Sequence, residues 1–158
     1  MSTHINERNQ ATMVDVTAKS ETVRSAIAES IVTLNDALVA LLENGELHSK
    51  KGPVFHTAIL AGIMGAKETS RLIPLCHPIP LEDCKITIDL VEKQAIIRCH
   101  ARTTAKTGVE MEALTGASIA ALTLYDMCKS IDPAIVISAT RLLEKTGGKS
   151  DYTHVPNA

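Results

Sequence analysis

Asp126 and Lys129 stand three residues apart in the string LTLYDMCK, Leu122 to Lys129. On a helix, positions three apart share a face, so a carboxylate and an amine would meet at the tip of an otherwise apolar segment. In open water such a pair contributes only a few tenths of a kcal/mol. On a mostly apolar helix both groups would lose water, which moves an aspartate pKa up and a lysine pKa down. Two groups so poised could trade protons. Further up the same segment, TGVEMEALT places Glu110 and Glu112 in the first turns. If the helix is continuous, the sixteen steps from Glu110 to Asp126 span roughly 24 Å at about 1.5 Å per residue. One small ligand cannot touch both tips within one chain. Either the tips do unrelated work, or a neighbouring copy brings its Glu110 tip to this copy's Asp126 tip.

Cations and a histidine complete the chemical inventory. Lys51 precedes Gly52-Pro53 at the mouth of a second helix. It reads either as a solvated loop lysine or as a lysine beside the free N–H groups that hold phosphates at helix starts. Lys67 and Arg71 are four apart and repel each other unless splayed in water or shared around an anion. In Cys76-His77-Pro78, prolines brace the backbone and fix the direction of the histidine, whose plainer role is a bond to a carbonyl. Adjacent side chains of an extended segment point to opposite sides, which argues against zinc at Cys76 and His77 and against a Cys76 nucleophile. Arg98, His100 and Arg102 line one face of a strand, either a solvated sheet face or an electropositive floor for a polyanion. Lys145 and Lys149 flank Thr146-Gly147-Gly148, which closes over phosphates or frays as a tail. No metal cage, serine triad or dinucleotide fingerprint is present. The set suits a phosphorylated small molecule undergoing proton-transfer chemistry.

The elements that position these residues follow from periodicity. Thr107 to Lys129 reads as a helix rich in small residues (Ala113, Gly116, Ala117, Ala120, Ala121), suited to close backbone approach. Val54 to about Leu72 is a second helix with Ala58, Ala61, Gly62, Gly65 and Ala66, and Pro53 stands at its first turn. Leu72 to Pro80 reads as extended and rigid. Ile86, Ile88 and Leu90, then Ile97, Cys99 and Ala101, alternate with polar residues as an antiparallel hairpin. The last strand lies within Ala134 to Lys145. Asn35 to Asn44 reads as a helix stopped by Asn44-Gly45, whereas Glu21 to Gly45 as a whole fits either one long helix or, in its first half, a strand. Granting that strand, the order is that of a ferredoxin-like α+β fold, an antiparallel sheet packed by helices with one additional helix. Residues 1–12 read as a loose arm, 13–150 as one catalytic domain and 151–158 as a flexible tail.

The totals remove whole classes of function. At 158 residues the chain buries a core without disulfides or a structural metal. A net charge of −2 and three aromatic side chains, Phe55, Tyr125 and Tyr152, argue against nucleic-acid binding by counterion release or base stacking. Four cysteines at wide spacing and a polar start, MSTHINERNQ, read as a reduced cytoplasmic protein. No apolar run reaches the length of a membrane span.

The longer strings carry a resemblance. MVDVTAKSETVR, AGI..AK.TS.LIPLCHP, TGVEMEALT, LT.YDMCK and RLLEK.GGKS resemble the molybdenum cofactor biosynthesis protein C family of cyclic pyranopterin monophosphate synthases, over almost all of Met13 to Ser150. The resemblance implies a lyase converting 3',8-cyclo-7,8-dihydroguanosine 5'-triphosphate to cyclic pyranopterin monophosphate and diphosphate. It implies a ferredoxin-like fold and a homohexamer, a trimer of dimers with active sites between subunits, and no required cofactor beyond Mg²⁺ as an option with the triphosphate. By position, Asp126 resembles the catalytic aspartate and Lys129 its partner. Leu75, Cys76, His77, Met111 and Glu112 resemble substrate contacts, as do Lys51, Glu110 and Lys145, with Arg24, Lys67, Arg102 and Lys149 as looser matches. On this reading Lys51, His77 and the basic sheet face grip the triphosphate. The chain departs from the family pattern at Pro53, where an acidic residue often follows Lys-Gly, at Arg71, where Asp is common, and at Asp151, where glycine is usual and a stiffer tail is expected.

Overall fold

The ambiguous N-terminal segment is a strand. In the computed structural model, which describes residues 4–156, β1 (Thr22–Thr33) turns Ala26, Ala28, Ser30 and Val32 inward at 1% exposure or less. Val23 and Glu29 fall on the opposite face. Small inward side chains let helices pack close, and pairing on both edges overrides the weak strand propensity of alanine. After β1 comes a single helical turn, α1 (Asp36–Val39), capped by the Asn35 side chain, which accepts from Leu38 N. A small antiparallel sheet follows, made of β2 (Leu42–Glu43), β3 (Glu46–Ser49) and β4 (Gly52–Pro53). The helix expected over Asn35 to Asn44 is therefore corrected to one turn and a hairpin. Asn44 and Gly45 have φ of 51° and 79°, the left-handed pair that two-residue hairpins require, and they join Glu43 to Glu46.

The second helix is α2 (Val54–Lys67). It breaks at Glu68, and α3 (Thr69–Leu72) is a separate turn. The extended segment expected over Leu72 to Pro80 is corrected: Leu72 ends α3, and Cys76 N donates to Ile73 O and closes a turn before the chain extends. The hairpin β5 (Asp83–Val91) and β6 (Gln94–Ala105), the long helix α4 (Glu110–Cys128) and β7 (Val136–Thr146) complete the main order. β8 (Tyr152–Thr153), inside the segment read as a tail, pairs with Glu144 and Lys145, and the Asp151 carboxylate accepts from Gly147 N. The sheet runs β5-β6-β1-β7-β8, antiparallel throughout. It is an α+β fold of ferredoxin-like type with helices on one face.

The helix layer is two antiparallel rods. A Cβ at Gly62 would stand 2.7 Å from the Gly116 carbonyl, and one at Gly116 would stand 2.6 Å from Cys99 Sγ. Glycine is required at Gly62 because the facing helix backbone stands against it, and at Gly116 because the Cys99 sulfur does. Val32, Ile97 and Leu124, fully buried between sheet and helices, each contribute about 1.5–3 kcal/mol by leaving water. Because the rods are antiparallel, the start of α2 lies at the end of α4, and the end of α2 at the start of α4. That arrangement delivers different side chains to the two tips.

Candidate active site

At the C-terminal tip of α4, three charged groups meet. Asp126 Oδ1 lies 2.8 Å from Lys129 Nζ, and Oδ2 lies 2.8 Å from Lys51 Nζ. Lys51 Nζ also donates to the Asp126 carbonyl at 3.0 Å. Lys51 sits in the two-residue loop of the β3–β4 hairpin, where Ser49 pairs with Gly52, and the antiparallel rods bring that loop to Asp126. The Asp126 and Lys129 side chains are 51% exposed. Hydrogen bonds from Lys129 and then Lys51 hold the Asp126 carboxyl down at about 2, and Asp126 in turn raises the Lys129 amine. This reverses the expected drift toward neutrality. The tip keeps its water in a single chain, so pairing outweighs desolvation. Lys51, read as a phosphate grip, is held by a carboxylate rather than beside free N–H groups.

The N-terminal tip is built differently. A cavity of about 330 Å³ is lined by Leu75, Cys76, His77, Glu110, Met111 and Glu112, with His4, Val14, Val16, Lys19, Thr107 and Gly108 closing it. Glu112 is 5% exposed. Desolvation, partly offset by a backbone N–H and reinforced by the charge of Glu110, pushes its carboxyl up to about 7. Burial and the nearby Glu112 also raise the Cys76 thiol. His77 Nε2 lies 2.6 Å from the Val14 carbonyl. A carbonyl only accepts, so Nε2 carries the proton and Nδ1 is the nitrogen left for a ligand. Cys76 and His77 both line this cavity. Next door a smaller cavity of about 170 Å³ is lined by Lys19, Arg24, Glu110, Lys145 and Lys149. Lys145 Nζ pairs with Glu110 Oε1 at 3.1 Å, and Arg24 Nε donates to the Ala105 carbonyl at 3.2 Å.

The expected residues thus divide into two groups. Arg24, Leu75, Cys76, His77, Glu110, Met111, Glu112, Lys145 and Lys149 gather at the N-terminal tip, and Lys51, Asp126 and Lys129 at the other. Lys67 ends α2 near the first tip, and Arg102 lies on β6; neither lines these two cavities. The basic sheet face is partly spent, since Arg98 pairs with Glu29 at 3.0 Å. Residue-by-residue reading gave no role to Val14, Val16 and Lys19, which wall the larger cavity through the His77 bond. A second tether there, from Lys106 Nζ to Thr17 O at 3.0 Å, is equally remote in sequence. It also missed Glu46, whose carboxylate takes the first N–H groups of α2. Among the described residues no three His, Cys, Asp or Glu side chains converge as a metal site, and no helix is long and apolar enough to cross a membrane.

Fold and site together define an α+β protein with cations, a histidine and a buried glutamate around a cleft, and a lysine-clamped aspartate a helix length away. The chain belongs to the MoaC family, whose model matches residues 13–148. It is 50% identical over 150 residues to the cyclic pyranopterin monophosphate synthase of Xanthomonas oryzae pv. oryzae, covering 94% of this chain and 91% of that protein. With the synthase of Xanthomonas axonopodis pv. citri it shares 49% identity over the same shares of both chains. It is also 48% identical over 161 residues to a molybdenum cofactor biosynthesis bifunctional protein of Synechocystis, where it spans 99% of this chain but 46% of the longer relative.

Proposed function

We propose that the chain catalyses the cyclic pyranopterin monophosphate synthase reaction, a lyase step of molybdenum cofactor biosynthesis, on 3',8-cyclo-7,8-dihydroguanosine 5'-triphosphate. The observation that carries this reading is the Lys51–Asp126–Lys129 cluster within a chain of this family. The substrate is a polyanion, and Arg24, Lys145 and Lys149 supply cations beside the cleft that holds His77 and Glu112. Forming the cyclic phosphate requires a hydroxyl to attack the α-phosphorus while the bond to the β-phosphate breaks and diphosphate leaves. Fixed cations stabilise that leaving charge, and Mg²⁺, where it takes part, arrives with the triphosphate.

Asp126 is ionised and Lys129 protonated at neutral pH, so Asp126 accepts protons and Lys129 donates them during purine opening and pterin closure. Covering the tip with substrate strips its water and draws the two pKa values toward each other. Neither cavity reaches Asp126, and the tips are roughly 24 Å apart. A site that uses both is therefore assembled from two copies of the chain, as a homohexamer built from dimers provides. Diphosphate release from the cyclised nucleotide tests the activity directly. Mixing Asp126→Asn chains with Glu112→Gln chains tests the shared site. Each is inactive alone, and random mixing in a closed oligomer restores about a quarter of the sites. No recovery after verified subunit exchange would place both tips' work within one chain.

A further inference from the structure

Lys51 reaches Asp126 from a hairpin that is too slight to hold it alone. β3 and β4 share two residue pairs, His48 with Pro53 and Ser49 with Gly52, β2 adds two on the other edge of β3, and a sheet this small needs support from the elements it packs against. α2, which begins where the hairpin ends, has Pro53 as its N-cap with no side-chain hydrogen bond. Its first N–H groups would be left without partners. Glu46 answers both needs. Its Oε1 accepts from Leu47 N at 2.8 Å and from Phe55 N at 2.7 Å, and its Oε2 accepts from His56 N at 3.0 Å. Burial works against the charge, but these three donors outweigh it and keep the carboxyl below the ordinary glutamate range.

One carboxylate therefore ties residues 46 and 47 to residues 55 and 56, the two ends of the segment whose tip is Lys51. We propose that Glu46 is a positioning residue for Lys51: it fixes the base of the hairpin and so sets where the Lys51 amine stands against Asp126. The proposal rests on the reading of Asp126, Lys129 and Lys51 given above. Without the carboxylate, Leu47 remains anchored in the core at 0% exposure and Lys51 N keeps its bond to Ser49 Oγ at 3.1 Å. The hairpin then survives but tilts. A misplacement of about 1 Å at a reacting group is enough to cost about a hundredfold in rate.

The test compares Glu46→Ala and Glu46→Gln in the full-length assembled enzyme, by kcat, KM and the pH dependence of kcat, alone and in a Lys51→Arg background. Glu46→Ala is expected to lower kcat tenfold or more with KM changed less than about threefold. The acid limb of its kcat profile should move to higher pH, because Asp126 loses a cation that favours its ionised form. Glu46→Gln, which keeps a neutral acceptor and serves as the reporter if the alanine variant does not fold, should fall between. In the Lys51→Arg background Glu46→Ala should cost less than about twofold, since the residue it positions is already altered. Equal losses in both backgrounds, or an unmoved acid limb, would show a helix cap acting on stability alone and overturn the proposal. A damaging Lys51→Ala beside a harmless Glu46→Ala would do the same. Lys51→Ala at wild-type kcat would overturn it too, and would mark the underlying reading as the part that failed.

Discussion

The two tips of α4 solve the problem of charge in opposite ways. At the C-terminal tip, Asp126 is surrounded by water and two ammonium groups, and its carboxyl is held at about 2. At the N-terminal tip, Glu112 is packed away from water, and its carboxyl rises to about 7. The residues are fourteen positions apart on one rod, so sequence neighbourhood does not set their acidity. Partners and solvent do. The comparison also teaches that the two tips are equipped differently. One carries charged groups outside both cavities described above, and the other a cavity whose Glu112 carboxyl is shielded from water and so made a weaker acid.

The sharpest way to break this contrast is Asp126→Asn. Turnover should fall by at least about a thousandfold, within the range general acid–base groups command. Binding of the substrate should change less than about threefold, read by diphosphate release against equilibrium titration. Loss of both to the same degree would assign Asp126 to binding. Lys51→Ala comes next, with kcat reduced by about ten- to a hundredfold and the acid limb of the rate profile displaced upward, as expected when a charge-assisted partner is removed. An unchanged limb would mean that Lys129 alone sets the acidity of Asp126.

The rod itself is tested by Gly62→Ala. The added methyl meets the Gly116 carbonyl at 2.7 Å, and overpacking of this kind costs about 1–3 kcal/mol, measurable in urea unfolding. The smallest effect separates the tips by sign. Glu112 binds more protons folded than unfolded between its ordinary value of 4.5 and about 7, so stability falls as pH rises through that window and levels off above it. Asp126 behaves oppositely. The stability it contributes is present above its ordinary 3.8 and is lost as pH falls through about 2. Glu112→Gln should therefore flatten the melting temperature between pH 4.5 and 7 without altering the acid side, and a slope that persists would locate the proton elsewhere.

Much of this architecture was legible in the residues. Alternation revealed β5 and β6, an apolar, β-branched run (Ile135, Val136, Ile137) revealed β7, and small-residue spacing revealed α2 and α4. β1 stayed ambiguous because alanine and serine suit either period until two neighbouring strands are known. The Asn35 to Asn44 helix failed because Asn44-Gly45 is both a helix stop and a hairpin turn, and only the pairing of Leu42 with Leu47 decides. The spacing of Asp126 and Lys129 gave their contact correctly, but no spacing shows that Lys51 arrives from 75 residues away. The same holds for the bond from His77 to Val14, which spans 63. The resemblance gathered residues at both tips without saying which tip each serves. The antiparallel rods make that assignment.

The contact between Gly62 and Gly116 lies along those rods between the two charged tips, one turn from Glu112. It fixes how closely the two rods lie. Because the same two rods carry the Lys51 loop to Asp126 at one extremity and the wall of the glutamate cleft at the other, the spacing set by two missing side chains is shared by both ends.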